Sequence, residues 1–192
     1  MIANLPNRSE EEKLALLEQI FAVYRERGGR SYGENVTELQ HALQCAEFAT
    51  QQHSTKTVVL AALLHDYGHL LHDEGEDIAE RGIDTTHEEL GAKALSAWFG
   101  PEIVDPIQMH VAAKRYLCWA ESTYHASLSA ASQLSLTLQG GPMNDAEAKA
   151  FASRPHFAAA LQVRRFDDWG KVPGMETAPL EAYRDLLLEH LR

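Results

Sequence analysis

The chain has 192 residues, 45% of them hydrophobic, which suits one domain with its own core and excludes global disorder. With 17 Lys+Arg against 28 Asp+Glu the formal net charge is −11, so nucleic acid is not an expected partner, because phosphate contacts would form against bulk repulsion. Two cysteines exclude a disulfide framework and fit a reduced, cytoplasmic setting; neither a signal peptide nor an apolar run of the ~20 residues a membrane span needs is found, so no membrane is expected.

Taken in chain order, the periodicity is helical almost throughout. Ser9-Glu10-Glu11-Glu12 is a capping box, and Leu14, Leu17, Ile20, Phe21 and Tyr24 then recur on one face until Gly28-Gly29 stops the helix. A loop is expected over 30–36, and Thr37 with Gln40 opens a second helix carrying Leu39, Leu43, Ala46 and Phe48. The run Val58 to Leu64 is apolar all round; its alanines and leucines outweigh its two valines, so a buried helix is predicted rather than a strand. Further helices are predicted over 86–99, 103–114, 127–138, 145–152, 157–166 and 179–191. The acidic stretch 73–80 reads as a solvated loop, and Gly140-Gly141-Pro142 and Pro173-Gly174 as turns. The expected architecture is a single all-α domain over residues 1–192, a bundle of about nine helices.

Ten histidines are the unusual part of the composition. His65-Asp66 ends the apolar helix and is followed by Tyr67-Gly68-His69. A histidine and a carboxylate side by side at such a place are costly unless something compensates their desolvation, and a metal does so well. His41 lies upstream, and His87, His110 and Asp167 downstream, each in or beside a predicted helix rigid enough to hold it. A His/carboxylate set without cysteine suits iron, manganese, cobalt or zinc. Six ligands are too many for one ion that keeps open positions, and they suit two ions bridged by a carboxylate, for which Asp66 is central. His53, His72, His125, His156 and His190 are read as ordinary surface or core residues.

These residues resemble the HD-domain superfamily, all-helical metal proteins named for the His-Asp pair, and within it the mixed-valent diiron oxygenases related to myo-inositol oxygenase, in particular the phosphonate-cleaving group. The likeness rests on Glu34-x6-His41-Ala-Leu-Gln-Cys-Ala, Leu60-Ala-Ala-Leu-Leu-His-Asp-Tyr-Gly-His69, His110-Val-Ala-Ala-Lys-Arg-Tyr116, Gln139-Gly-Gly-Pro-Met143 and Arg164-x-x-Asp167. It implies two irons as Fe(II)/Fe(III), one held by His41, His65, Asp66 and Asp167 and the other by Asp66, His87 and His110. Dioxygen would be the co-substrate, and an α-hydroxyphosphonate would be cleaved to a carboxylic acid and phosphate.

A phosphonate needs local cations that the −11 surface does not supply. Lys114 follows His110 by one helical turn, Arg164 precedes Asp167 by three residues and His69 follows His65 by four, so each travels with a ligand. Asp66, His69 and Lys114 are the expected catalytic residues. Ser132 joins Lys114, Arg164 and His69 as a substrate contact through the resemblance alone. At the other end of the substrate, the resemblance places Glu34 where relatives meet an amine, and Glu38 follows four residues later. Two carboxylates beside Tyr32 suit a quaternary ammonium, which is held by charge and aromatic walls. The expected substrate is therefore (1-hydroxy-2-(trimethylammonio)ethyl)phosphonate, giving glycine betaine; 2-amino-1-hydroxyethylphosphonate, giving glycine, is the alternative. A metal-dependent phosphohydrolase and a non-catalytic helical interaction module are the rivals from other classes. The sequence carries no signature of a particular oligomeric state.

Overall fold

The computed structural model describes residues 8–33, 35–72 and 86–192. Among them are ten α-helices, two 3-10 turns and one short antiparallel hairpin. Glu34 and the acidic stretch 73–80 lie outside the described residues.

Helix α1 (Glu10–Arg27) begins at the capping box expected from the sequence, with Ser9 and Glu12 each satisfying the other's backbone N–H. The stretch expected as a loop is instead a hairpin of β1 (Ser31–Gly33) and β2 (Val36–Thr37), turned through Asn35 at φ 64° and anchored by buried Val36. Thr37 then caps α2 (Glu38–Gln51) together with Gln40. Helix α3 (Lys56–Leu64) has every residue from Val58 to Leu64 buried, and each of its large aliphatic side chains contributes about 1.5–3 kcal/mol of burial. It ends at His65-Asp66, where the chain turns into a 3-10 segment, Tyr67–Leu71. Helix α4 (His87–Leu95) and the long α5 (Pro101–Ala120) follow. The region expected as one helix over 127–138 is two, α6 (Tyr124–Ser127) and α7 (Ala130–Leu138), separated because Ser129 caps the second. Next come α8 (Asp145–Ala152), α9 (Phe157–Trp169), a 3-10 turn (Leu180–Tyr183) and α10 (Arg184–His190). No described helix is long and apolar enough to cross a membrane.

The principal core joins one face of α1, α2, the whole of α3, the start of α5 and the ends of α9 and α10. Two smaller apolar clusters lie beneath α6, α7 and α8. Helices α2 and α5 each pack against both α3 and α9, and α3 against α9, so side chains from four elements reach the space between them. Tyr24 of α1 donates to the Leu63 carbonyl at 2.7 Å, satisfying one of the orphan acceptors where α3 stops. That stop is what exposes His65 and Asp66 to the interior of the bundle.

Candidate active site

All six residues expected as metal ligands meet in this interior, and all are buried: His41 from α2, His65 and Asp66 after α3, His87 at the start of α4, His110 from α5 and Asp167 from α9. Asp66 is central. Its Oδ2 lies 3.1 Å from His65 Nε2 and 3.4 Å from His41 Nε2, while its Oδ1 lies 3.3 Å from His87 Nε2 and 3.5 Å from His110 Nε2. Asp167 Oδ1 stands 3.6 Å from His41 Nε2, on the Oδ2 side. One carboxylate thus divides the donors into two groups.

The opposite edges of the rings fix their orientation. His41 Nδ1 is 2.8 Å from the Gly170 carbonyl, His65 Nδ1 is 2.9 Å from Ala62, and His110 Nδ1 is 2.7 Å from Ile107. A carbonyl only accepts, so each Nδ1 carries the proton and each Nε2 presents a bare lone pair. These lone pairs face each other at 3.2 Å between His41 and His65, and His87 Nε2 stands 3.1 Å from His110 Nε2. Both oxygens of buried Asp66 lack a hydrogen bond. Bare acceptors gathered this closely repel one another unless cations stand among them, so the donor set fits metal ions. Burial works against charge on Asp66 and Asp167, but the neighbouring imidazoles hold Asp66, and Arg164 with Lys171 holds Asp167, well below the usual carboxylate range. Those carboxylates in turn raise His65 to about 9 against the opposing effect of burial, so its Nε2 holds a proton wherever no metal ion competes for that lone pair. Cys45 also borders this space, 3.7 Å from His41 Nε2, but its thiol donates to the Phe166 carbonyl at 3.3 Å and burial pushes its pKa up.

Beside Asp167 lies a cluster of cations and hydroxyls, with Lys114, Arg164 and Ser132 buried and Lys171 and Ser135 half-buried. Lys114 donates to Ser135 at 2.7 Å, and Lys171 donates to Ser132 at 3.3 Å while standing 3.6 Å from Asp167. Burial, then the nearby Arg164, bring Lys114 down to about 8. Arg164 is committed within the protein: it donates to Asp167, Asp168 and the Tyr124 hydroxyl. Three of its five N–H groups are thus engaged within the protein, one of them on Asp167, and two are left for the expected substrate contact. His69 stacks on His87 at 4.0 Å, and burial followed by His87 lowers it to about 3, so it acts there as a neutral ring rather than a cation. Tyr32 stacks on His41 at 3.8 Å and donates to Asp167 at 3.4 Å, covering that side of the centre. Glu38, in the first turn of α2, is half-buried, and its charge helps to raise the Tyr32 phenol, after burial and the two aspartates. Its expected companion Glu34 lies outside the described residues.

The HD domain family model matches residues 39–144, a span that contains His41, His65, Asp66, His87 and His110. This chain belongs to the HD-domain family. Its relatives include hydroxymethylphosphonate dioxygenase of Gimesia maris, 43% identical over 178 residues, covering 89% of this chain and 87% of the relative. The [1-hydroxy-2-(trimethylamino)ethyl]phosphonate dioxygenase (glycine-betaine-forming) of Leisingera caerulea is 39% identical over 173 residues, covering 90% and 88%. An uncharacterized protein of Acanthamoeba polyphaga mimivirus is 33% identical over 188 residues, covering 96% and 86%. Within the HD family the chain therefore groups with the phosphonate-cleaving oxygenases.

The HD-family match ends before Asp167 and before Lys171, which sequence reasoning did not single out. Lys171 follows Asp167 by four residues, but helix α9 has ended at Trp169, so no helical periodicity marks it. Ser135 was missed as well. Its signal was available: it lies three residues after Ser132, on the same face of α7.

Proposed function

We propose that this HD-family protein is an oxidoreductase, a dioxygenase that cleaves the C–P bond of an α-hydroxyphosphonate to give a carboxylic acid and phosphate. The observation that carries the reading is the junction of two features: donors divided in two by Asp66, and the hydrogen-bonded pairs Lys114–Ser135 and Lys171–Ser132 clustered beside Asp167. The named relatives support the same reaction class.

His41, His65, Asp66 and Asp167 would hold one iron, and Asp66, His87 and His110 the other. The pair, as Fe(II)/Fe(III), would supply Lewis acidity toward the substrate hydroxyl and phosphonate and the electrons through which dioxygen reacts. The protein's own part is binding and orientation. Two ammonium groups and two hydroxyls match the phosphonate's oxygens and neutralise its charge in a place shielded from water. Arg164 keeps Asp167 ionised and aimed, and Asp168 and Tyr124 hold Arg164 in turn. Tyr32 closes the His41 side, and neutral His69 offers a ring nitrogen without adding positive charge.

Two readings of the substrate's other end follow from different observations. Half-buried Glu38 beside Tyr32 favours a cationic substituent, hence the trimethylammonio substrate, with the 2-amino compound as its close alternative. The higher identity to the hydroxymethylphosphonate enzyme favours a substrate with no substituent at all. Turnover of the three phosphonates by iron-loaded protein, with and without air, tests both levels. Oxygen-dependent phosphate release from at least one supports the dioxygenase; release without oxygen, or only from a phosphomonoester, would make it a hydrolase. A Glu38→Gln change that impairs the trimethylammonio substrate selectively supports the cationic reading, and equal effects on all three remove it.

A further inference from the structure

Helix α7 carries both hydroxyls of the anion pocket, yet of its nine residues only Ser132 and Leu136 are buried. Apolar packing through one leucine is a weak anchor for a helix that must hold two side chains in register with two lysines. Its C-terminal end is held by polar contacts instead. The chain leaves α7 through Gly140 and Gly141, at φ 92° and 71°, the left-handed region that side chains rarely tolerate. The Gly141 N–H closes the helix on the Leu136 carbonyl at 2.9 Å.

Arg115 of α5 grips this turn. Its Nε donates to the Gly141 carbonyl at 2.8 Å and its Nη2 donates to Glu147 at 3.0 Å. Glu147 is itself half of the capping box that starts α8 with Asn144. The Arg115 carbonyl accepts from the Met143 N–H at 3.2 Å, so both its main chain and its side chain bind the same connection. Its neighbour Lys114 meets α7 at Ser135, whose hydroxyl in turn donates to the Ser132 carbonyl at 3.2 Å. Two consecutive residues of α5 therefore hold α7 at its pocket face and at its exit.

We infer that Arg115 is a positioning residue for the anion pocket: by clasping the Gly140-Gly141 turn it fixes α7 so that Ser132 and Ser135 stand against Lys171 and Lys114. The inference rests on reading that pocket as the phosphonate site. It also unites two segments, HVAAKRY and QGGPM, that the metal centre uses only at His110. A guanidinium suits the task because its planar fork addresses a carbonyl and a carboxylate at once, which the single ammonium of lysine does not reproduce.

The test uses the metal-loaded full chain and inorganic phosphate as the probe, with affinity read by calorimetry. Arg115→Lys weakens phosphate binding about five- to tenfold, the scale of coupled neighbours, and raises KM for a phosphonate substrate more than it lowers kcat. In a Ser135→Ala background the same change has little further effect. Wild-type affinity in Arg115→Lys would overturn the inference, and so would strictly additive losses, which mark general destabilisation. If Arg115→Lys does not fold, Glu147→Gln serves: it reduces one anchor of the fork from a charge-assisted to a neutral hydrogen bond and weakens phosphate binding about twofold, at the low end of such coupling, whereas unchanged affinity overturns the clasp. Failure of the wild-type holoprotein to bind phosphate would instead overturn the functional reading, and this inference with it.

Discussion

Asp66 faces four imidazole nitrogens, two with each of its oxygens, and no hydrogen bond satisfies either oxygen. Its removal should therefore unmake both halves. Asp66→Ala is expected to retain fewer than two metal ions per chain after loading and to lose activity; elemental analysis showing full occupancy would rule out the bridge. Lys114 offers a second test at the same scale. Burial and Arg164 bring its ammonium to about 8, so the cation is present below that pH and lost above it. Free-enzyme kcat/KM for the phosphonate should fall as pH rises through about 8, and Lys114→Arg should move that limb upward. The stability sign is opposite. Between about 8 and lysine's ordinary range the unfolded chain binds more protons, so this group favours folding more as pH rises, and the lost activity is not unfolding. The convergence of the six expected ligands was legible in the sequence because each sits on or beside a helix with a recognisable period. Lys171 was not, because it lies past the end of α9 where the period has stopped. The pairing of Arg164 with Asp167 was legible from their spacing, but its contacts with Asp168 and Tyr124 were not, because charge alone does not reveal them.

At the scale of elements, the site depends on how closely α4 approaches the 3-10 turn after His65-Asp66. Gly68 makes that approach possible: a Cβ there would fall 2.0 Å from the His87 carbonyl oxygen, and backbone cannot yield to it cheaply. Gly68→Ala should shift the start of α4, move His87 off its axis, and lower affinity for one of the two metal ions by about tenfold or more. Metal titration reads this directly, and two ions bound with wild-type affinity would contradict it. Element boundaries show what periodicity misses. The helix expected over 86–99 stops at Leu95, where the Ser96 hydroxyl donates to the Lys93 carbonyl and competes with the helix ladder. The expected helix 103–114 is longer at both ends, beginning at Pro101, whose fixed φ suits a first helical position, and running to Ala120 with Pro106 tolerated inside. The break before Ala130 came from Ser129 accepting the Ser132 N–H, a local bond that apolar spacing does not encode. The all-α class itself was plain, since the described strands amount to one short hairpin.

Across the whole molecule, an acidic chain encloses the centre that the proposed function assigns to an anion. The net charge of −11 would repel a phosphonate at long range, so attraction has to be local, and Lys114 and Lys171 lie buried or nearly so within the bundle rather than on its surface. The family model spans five of the six expected metal ligands over 39–144, and the chain beyond it supplies Asp167 and Lys171, which stand 3.6 Å apart. The account's central claim is that the joined site couples oxygen consumption to C–P cleavage. Its most direct test is to follow dissolved oxygen and released phosphate together while iron-loaded protein turns over an α-hydroxyphosphonate. Equal molar consumption of oxygen and release of phosphate, with none in the absence of air, is the predicted result; phosphate released without oxygen uptake would contradict it.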